Sequence, residues 1–414
     1  MFKILILFIG LTAFSAVAHA NQSPLSLEEA IKLATAATDP SVEAYRARER
    51  ANTEAATAAG ALPDPSASFS VRNLPVDDFD LNREAMTQLH LGVRQMFPRG
   101  DTRSLKSEQR MHMADENSAF ALERTRAIVR DVTIAWHKAR YSHVAHLELK
   151  GLADLLGELR AAQEGNFAAA GKAAIQKIYR TELEAALVED RVASTTQARD
   201  QAVEMLARYI GRAEAMRAPA ETPLLARADT AAARLDSALD RHPLLAAAAA
   251  REKAAGSKVA LAREAYKPAW GLEVGYGARY GGRSDFASAM VTFDLPFWTG
   301  SRQDPALRAA KAEAQSQSLS KEALRLNLER EARSLLADIR HLEGRIDRFE
   351  GTILPQANSV VTATRNAYGA GDVDFSELIR AEIALVDSRL RLAMLYRDLG
   401  IAHAGLTFLT GDDQ

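Results

Sequence analysis

The chain has 414 residues, a formal net charge of −2 and no cysteine. This excludes a disulfide framework and the strongly basic surface that nucleic-acid binding requires. Hydrophobic residues make up 47% of the chain but aromatic residues only 6%. Alanine-rich, charge-rich sequence of this kind builds long, closely packed helices with little bulky core. The length suits two or three ordinary domains or one large extended one.

Residues 1–20 read as a secretory leader. Lys3 precedes an apolar run from Ile4 to about Val17, and Ala18-His19-Ala20 supplies a small-residue cleavage pattern. The mature chain is expected to begin near Asn21 and to leave the cytoplasm, without a cysteine to carry a lipid anchor. No later apolar run reaches the roughly 18 residues of a membrane helix. A β-barrel stays open, because its signal is much weaker per segment.

Ser26-x-x-Glu29 is a capping box that opens a first helix. A helix-like stretch runs from Asp39-Pro40 to Pro63-Asp64-Pro65. A β-hairpin is predicted over about 65–98: Ala67, Phe69 and Val71 alternate with Ser66, Ser68, Ser70 and Arg72, and Leu89, Leu91, Val93 and Phe97 with Gln88, His90, Gly92 and Arg94. From about Thr102 to Glu164 there is no proline, enough for about 95 Å of helix. A turn at about 165–171 leads to a return helix whose seam is expected at Ile178, Ala185, Val192, Arg199 and Leu206. Residues 212–230 read as a linker.

The second half repeats the first at a shift of about 200 residues. His242-Pro243 to Lys267-Pro268 matches the Asp39-Pro40 stretch, Pro296-Phe-Trp-Thr-Gly300 matches Met96-Phe-Pro-Arg-Gly100, and Arg180, Glu182, Leu206 and Gly211 match Arg380, Glu382, Leu406 and Gly411. The reading is therefore two repeats, 21–211 and 231–414, each running helix, hairpin, long helix, tip turn, helix. In the second hairpin, about 268–298, Trp270, Leu272, Val274 and Tyr276 alternate with Gly271, Glu273, Gly275 and Gly277. Ala287, Ala289, Val291, Phe293, Leu295 and Phe297 alternate with Ser288, Met290, Thr292 and Asp294. The following helix, about Pro305–Ala367, should kink or end at Pro355. After the turn at about 368–374, Leu378, Leu385, Leu392, Leu399 and Leu406 form a heptad seam, with Ala381, Ser388, Leu395 and Ala402 as companions.

Each strand is roughly ten residues long, sufficient for a tilted crossing of a bilayer. Four strands cannot close a barrel, since small closed barrels start at about eight, and an open edge cannot sit in lipid. Membrane strands therefore require several chains: two would supply eight strands and three would supply twelve.

This pattern resembles the outer membrane factor (TolC) family over essentially the whole mature chain. Its most specific pieces are the duplicated helix–hairpin–helix layout, the segment Tyr368-Gly-Ala-Gly371-Asp-Val-Asp-Phe375-Ser-Glu-Leu-Ile-Arg-Ala-Glu382, and the copy Phe167-Ala-Ala-Ala-Gly171-Lys-Ala-Ala-Ile175. The segments Asn73–Asp80 and Gln95–Gly100 look most like its heavy-metal-efflux (CusC/CzcC-type) branch. The resemblance implies a mainly α fold with a transmembrane β part: a homotrimeric, 12-stranded outer-membrane β-barrel continued into an α-helical coiled-coil barrel in the periplasm of a Gram-negative cell. It implies outer-membrane lipid, a periplasmic adaptor and an inner-membrane pump of RND type as partners. It places adaptor contacts at Ala170, Gly171, Ala370 and Gly371 and a gate at Tyr368, Asp372 and Asp374, where symmetry would turn each aspartate into a ring of charge. The reading on helix chemistry alone is that these acids start the next helix. Lumen-facing strand positions are Gln88, His90, Arg94, Glu273 and Arg279.

Met111-His112-Met113 has soft-ligand chemistry, but successive helix positions point in different directions. His137, His143 and His146 are packed or solvated helix residues by default. No nucleotide, zinc-protease, hydrolase or CxxC motif is present in the sequence, so the reading assigns neither an enzyme activity nor a cofactor. The function expected is a passive exit duct of a tripartite efflux system, with heavy-metal cations as one cargo class. A type I secretion or drug-efflux channel keeps the fold and changes the cargo. A soluble periplasmic coiled-coil scaffold would leave the alternating strands unused.

Overall fold

A computed structural model describes residues 23–167, 175–221 and 235–411; the leader, part of the linker and the first tip turn at Ala170 and Gly171 lie outside them. The elements are α1 (Leu27–Ala36), α2 (Pro40–Gly60), β1 (Ser66–Arg72), β2 (Gln88–Phe97), α3 (Thr102–Phe167), α4 (Ile175–Ile210), α5 (Arg212–Ala215), α6 (Leu235–Leu239), α7 (Pro243–Glu264), β3 (Ala269–Ala278), β4 (Phe286–Asp294), α8 (Gln303–Arg348), α9 (Leu354–Ala370) and α10 (Phe375–Thr410). The protein is mostly helical with one antiparallel sheet. It divides into two compact units, each assembled from three stretches of chain.

One unit takes in the described parts of residues 34–134, 225–349 and 398–414. Its helices begin where the chain stiffens. Asp39 caps α2 by accepting from Ser41 N at 2.8 Å, with Pro40 in the first turn. His242 does the same for α7, accepting from Leu244 N at 3.2 Å ahead of Pro243. Ala247, Ala250, Ala254 and Ala255 of α7 are buried, and their small side chains let α7 lie close along α8, where Leu328, Ala332, Leu336 and Ile339 are buried. The expected break near Pro355 is a π-helical turn, Phe349–Ile353, that ends α8 and opens α9. Proline has no N–H for the helical ladder, and a widened turn absorbs the mismatch.

The sheet belongs to this unit. Its order is β1-β2-β3-β4, antiparallel throughout, so the two hairpins join through β2 and β3. β4 ends at Asp294, short of the expected alternation through Phe297, because Pro296 cannot extend a ladder. Where the strands meet the helices, the Phe97 and Trp270 rings stack with centroids 4.0 Å apart. Arg99 Nη1 donates to Ala265 O at 2.9 Å, and Asp101 N donates to Glu264 Oε2 at 2.9 Å. Gly100 has φ +40°, and a Cβ there would run into the Glu264 carboxylate and Lys267. Gly300, which the sequence comparison matched to it, sits instead in a short 3-10 turn.

The other unit takes in the described parts of residues 1–33, 135–224 and 350–397. Glu29 N donates to Ser26 Oγ at 3.1 Å, and the Glu29 carboxylate answers with the Ser26 backbone, closing the capping box. That carboxylate also binds Arg217 Nη1 at 2.8 Å, and the guanidinium holds its pKa below the usual value. Within the expected linker, Pro219 forms a parallel bridge with Leu25. The Leu25 carbonyl accepts from both Ala220 N and Trp136 Nε1, each at 2.9 Å.

The core of this unit packs Leu149, Leu152 and Leu156 of α3 and Val188 of α4 around Phe375, Ile379 and Val386 of α10. The expected row on α10 also packs inward: Leu385 and Ala381 meet Val361 of α9. Helix α10 thus uses two faces, and the sequence heptad marks one of them. On α4 the buried row is Thr181, Val188 and Ala202. It lies three residues out of phase with the expected seam, of which Leu206 is buried and Ala185, Val192 and Arg199 only half-buried.

Trp136 is fully buried. Trp136→Phe removes both the indole donor to the Leu25 carbonyl and part of a buried ring, and thermal unfolding should show a loss of about 1–3 kcal/mol. His242 is also fully buried, edge-on to the Phe408 ring at 5.4 Å. Burial, and then the Arg126 charge, push its pKa down from 6.5 to about 4. The folded-state pKa is the lower one, so His242 adds stability that is complete above about pH 6.5 and is lost as pH falls towards 4. His242→Asn, which still caps a helix, should flatten the stability–pH curve across that window in denaturant titrations.

Candidate functional site

The sheet has an apolar and a polar face, and their exposure is the reverse of that in a soluble protein. The register puts Phe69, Leu91, Val93, Val274, Tyr276, Val291 and Phe293 on one face. All of them are exposed, Phe69 at 70% and Phe293 at 62%. The opposite face carries Gln88, His90, Arg94 and Glu273, together with the serines of β1 and Ser288 and Thr292 of β4. There Gln88 is only 9% exposed and His90 only 2%.

On the central strands β2 and β3 the polar face is covered, whereas on the edge strands β1 and β4 it is exposed apart from the half-buried Ser70 and Thr292. His90 Nε2 lies 3.4 Å from Ser288 Oγ, and Arg94 Nη2 donates to Thr292 Oγ1 at 2.8 Å. Both side chains leave β2, cross β3 and reach β4, which works because β3 is glycine-rich on this face. Those glycines were legible as small positions in the alternation; their role follows only from the register. Of the five expected strand positions, Gln88, His90, Arg94 and Glu273 share this face. Arg279 lies just past the end of β3 and knits the loops: Nε donates to Ser284 O at 2.6 Å and Nη1 to Ala85 O at 3.1 Å, and its guanidinium sits 3.9 Å from the Phe286 ring centroid.

The second candidate region is the turn between α9 and α10. Gly371 has φ +83° and follows the last residue of α9, Ala370. Gly371 N donates to Tyr368 O at 3.1 Å and Asp372 N to Ala367 O at 2.9 Å, the paired bonds of a Schellman C-cap. Asp374 then precedes α10, its carbonyl accepting from Glu377 N at 2.9 Å. The half-buried Tyr368 ring packs on Phe375 at 5.8 Å, whereas Asp372 and Asp374 are exposed. The turn therefore brings Tyr368, Ala370, Gly371, Asp372 and Asp374 together. Near it, Arg365 Nη2 meets the buried Glu382 carboxylate at 2.5 Å, pairing α9 with α10. Sequence reading missed this pair, whose members are 17 residues apart on different helices.

The histidines weighed as metal ligands have other neighbours. His112 lies between Glu108 (3.4 Å) and Asp115 (3.5 Å). His146 Nδ1 is 3.3 Å from Thr196 Oγ1. His137 is buried edge-on to Trp136.

Residues 234–412 match the family described as outer membrane efflux protein. Among solved structures, a membrane protein from Pseudomonas aeruginosa superposes with TM-score 0.79 at 16% identity, over 93% of this chain and 92% of that one. The outer membrane protein VceC from Vibrio cholerae gives 0.77 at 17% identity, over 93% and 96%. CusC gives 0.71 at 15% identity, over 93% and 91%, so the heavy-metal branch is not singled out. No curated protein matches by sequence.

The two glycines near the turn make different demands. Neither has an atom within 4 Å of where a Cβ would stand, but only Gly371 has positive φ. Gly371→Ala should destabilise the turn by about 1–2 kcal/mol and speed hydrogen exchange of the residue-371 and Asp372 amides. Gly369→Ala, inside α9, should slow exchange or leave it unchanged.

Proposed function

We propose that the chain, whose residues 234–412 match the outer membrane efflux protein family, is the passive outer-membrane exit duct of a tripartite exporter. The observation that carries this reading is the reversed sheet. Its apolar face is exposed along all four strands, while its polar face is covered on the central strands β2 and β3. A water-soluble scaffold would leave that face in water, whereas a bilayer would cover it. β1 and β4 are the two edges of the sheet, and hydrocarbon cannot solvate unpaired edges. Further copies must pair with them, and three copies give the 12-stranded homotrimer that the family resemblance implies.

In this reading residues 21–211 and 231–414 are duplicated repeats joined by 212–230, and each gives one hairpin to the barrel. Gln88, His90, Arg94 and Glu273 line the lumen, with Arg279 at its rim. The turn at Tyr368, Asp372 and Asp374 forms the periplasmic gate. Ala370 and Gly371, with Ala170 and Gly171 of the first repeat, receive the adaptor, which links the duct to an inner-membrane pump of RND type. The site is the outer membrane of a Gram-negative cell. The duct performs no chemical step, and pump and adaptor select the cargo.

Membrane fractionation followed by native mass measurement of the detergent-extracted protein tests this. The expected species is in the outer membrane at three times the mature mass. A monomer or dimer released from the periplasm without detergent would overturn the reading and leave the coiled-coil scaffold. Sensitivity of a deletion strain to metal ions or to organic drugs then separates the two cargo classes.

A further inference from the structure

On the polar face of the sheet, β2 carries a glutamine, a histidine and an arginine, and the glutamine and histidine are buried. On β3 the residues of this face are Gly271, Glu273, Gly275 and Gly277. The β2 side chains do not stand up from the strand but lean across these glycines. A Cβ on Gly275 would lie 2.7 Å from His90 Cε1, and one on Gly277 would lie 2.9 Å from Gln88 Cδ. At Gly271 it would lie 2.7 Å from Met96 Sδ. Each lies closer than Cβ atoms approach other heavy atoms, so the imidazole and the carboxamide occupy space that any other residue on β3 would fill.

The lean ends on hydrogen-bonding groups. His90 passes over Gly275 to Ser288, and Arg94 reaches Thr292, the cross-strand partner of Gly271. Consecutive polar residues of β2 are thus held down by hydroxyls of β4 across a glycine floor on β3.

We infer that Gly275 and Gly277 set the bore of the duct at this level, by letting His90 and Gln88 lie flat against the wall and out of the lumen. The inference rests on the duct reading above. In a symmetric assembly every copy contributes the same two side chains at the same height. Displacing them would narrow the lumen from all sides at once. The atoms in the way are the ends of movable side chains, so a methyl group on either glycine should swing them inward and leave the strand pairing intact.

The test is polymer exclusion in planar bilayers, with polyethylene glycols of graded size added on the barrel side only. That arrangement sizes the barrel entrance independently of any constriction at the other end. Gly275→Ala and Gly277→Ala should shift the exclusion cutoff to smaller polymers. The doubles His90→Ala/Gly275→Ala and Gln88→Ala/Gly277→Ala should return it to the wild-type value. His90→Ala alone should leave the cutoff where it is, because a flat imidazole takes up no bore. Singles with a wild-type cutoff, or a wider cutoff in His90→Ala, would overturn the inference while the duct stands. If a single variant fails to assemble, a double that assembles with a narrowed cutoff also overturns it. Wild-type protein that forms no channel would overturn the duct reading, and this inference with it.

Discussion

The exposed apolar face of the four-stranded sheet is the constraint on which the rest of the structure depends. Burying a leucine, valine or phenylalanine side chain is worth about 1.5–3 kcal/mol, and here a whole strand face of such residues is left uncovered. Nothing among the described residues covers it. The polar side chains turn towards one another instead, and β2, the second strand, is covered on its histidine side and open on its leucine side. The apolar face runs unbroken over four strands drawn from two hairpins nearly 200 residues apart in sequence, and in the proposed duct lipid would complete it. In that proposal the edges β1 and β4 would have to be paired as well, so membrane insertion and self-association would be two parts of one requirement.

The helices answer a different demand, that of packing side by side with little bulk. The buried alanines of α7 let it lie close along α8, and α10 carries two inward rows, Phe375, Ile379 and Val386 on one and Ala381 and Leu385 on the other, so that it touches more than one neighbour. Stability is correspondingly spread along the rods. The points that cannot be spread are the ends, and there the chain uses specific chemistry: proline-preceded caps at Asp39 and His242, the Glu29–Arg217 tie, and the left-handed glycine that closes α9.

Much of this was legible in the sequence because its two periods are clean. Alternation by two located all four strands, and the proline-free run of α3 and the leucine heptad of α10 located the long helices. What remained hidden depends on distance in sequence. Nothing local says that β2 pairs with β3, so the glycines at 271, 275 and 277 read as small residues and not as a floor beneath β2 side chains. The second inward row of α10 was hidden by the stronger leucine pattern beside it. The α4 seam was placed three residues out of phase because the first repeat was read through the second. Pro355 signalled an interruption without its form, since a π turn and a kink answer the same missing N–H. Arg279 continues the strand parity, but its contacts are decided by the loop at Ser284 and Ala85.

The low identities to the solved structures, 16% and 17% for the first two, fit the kind of constraint described here. A reacting centre fixes particular side chains at particular distances, and sequence similarity survives around it. The wall of the proposed duct would fix only which face is apolar, which is polar and how far each side chain projects, and many residues satisfy each condition. Helical rods add a requirement for period and size but not for identity. Such a protein can lose most of its recognisable sequence while keeping its fold over more than nine-tenths of its length. The residues least free to change are then those where backbone geometry or close approach admits no alternative, such as Gly371 at its positive φ and the β3 glycines beneath His90 and Gln88.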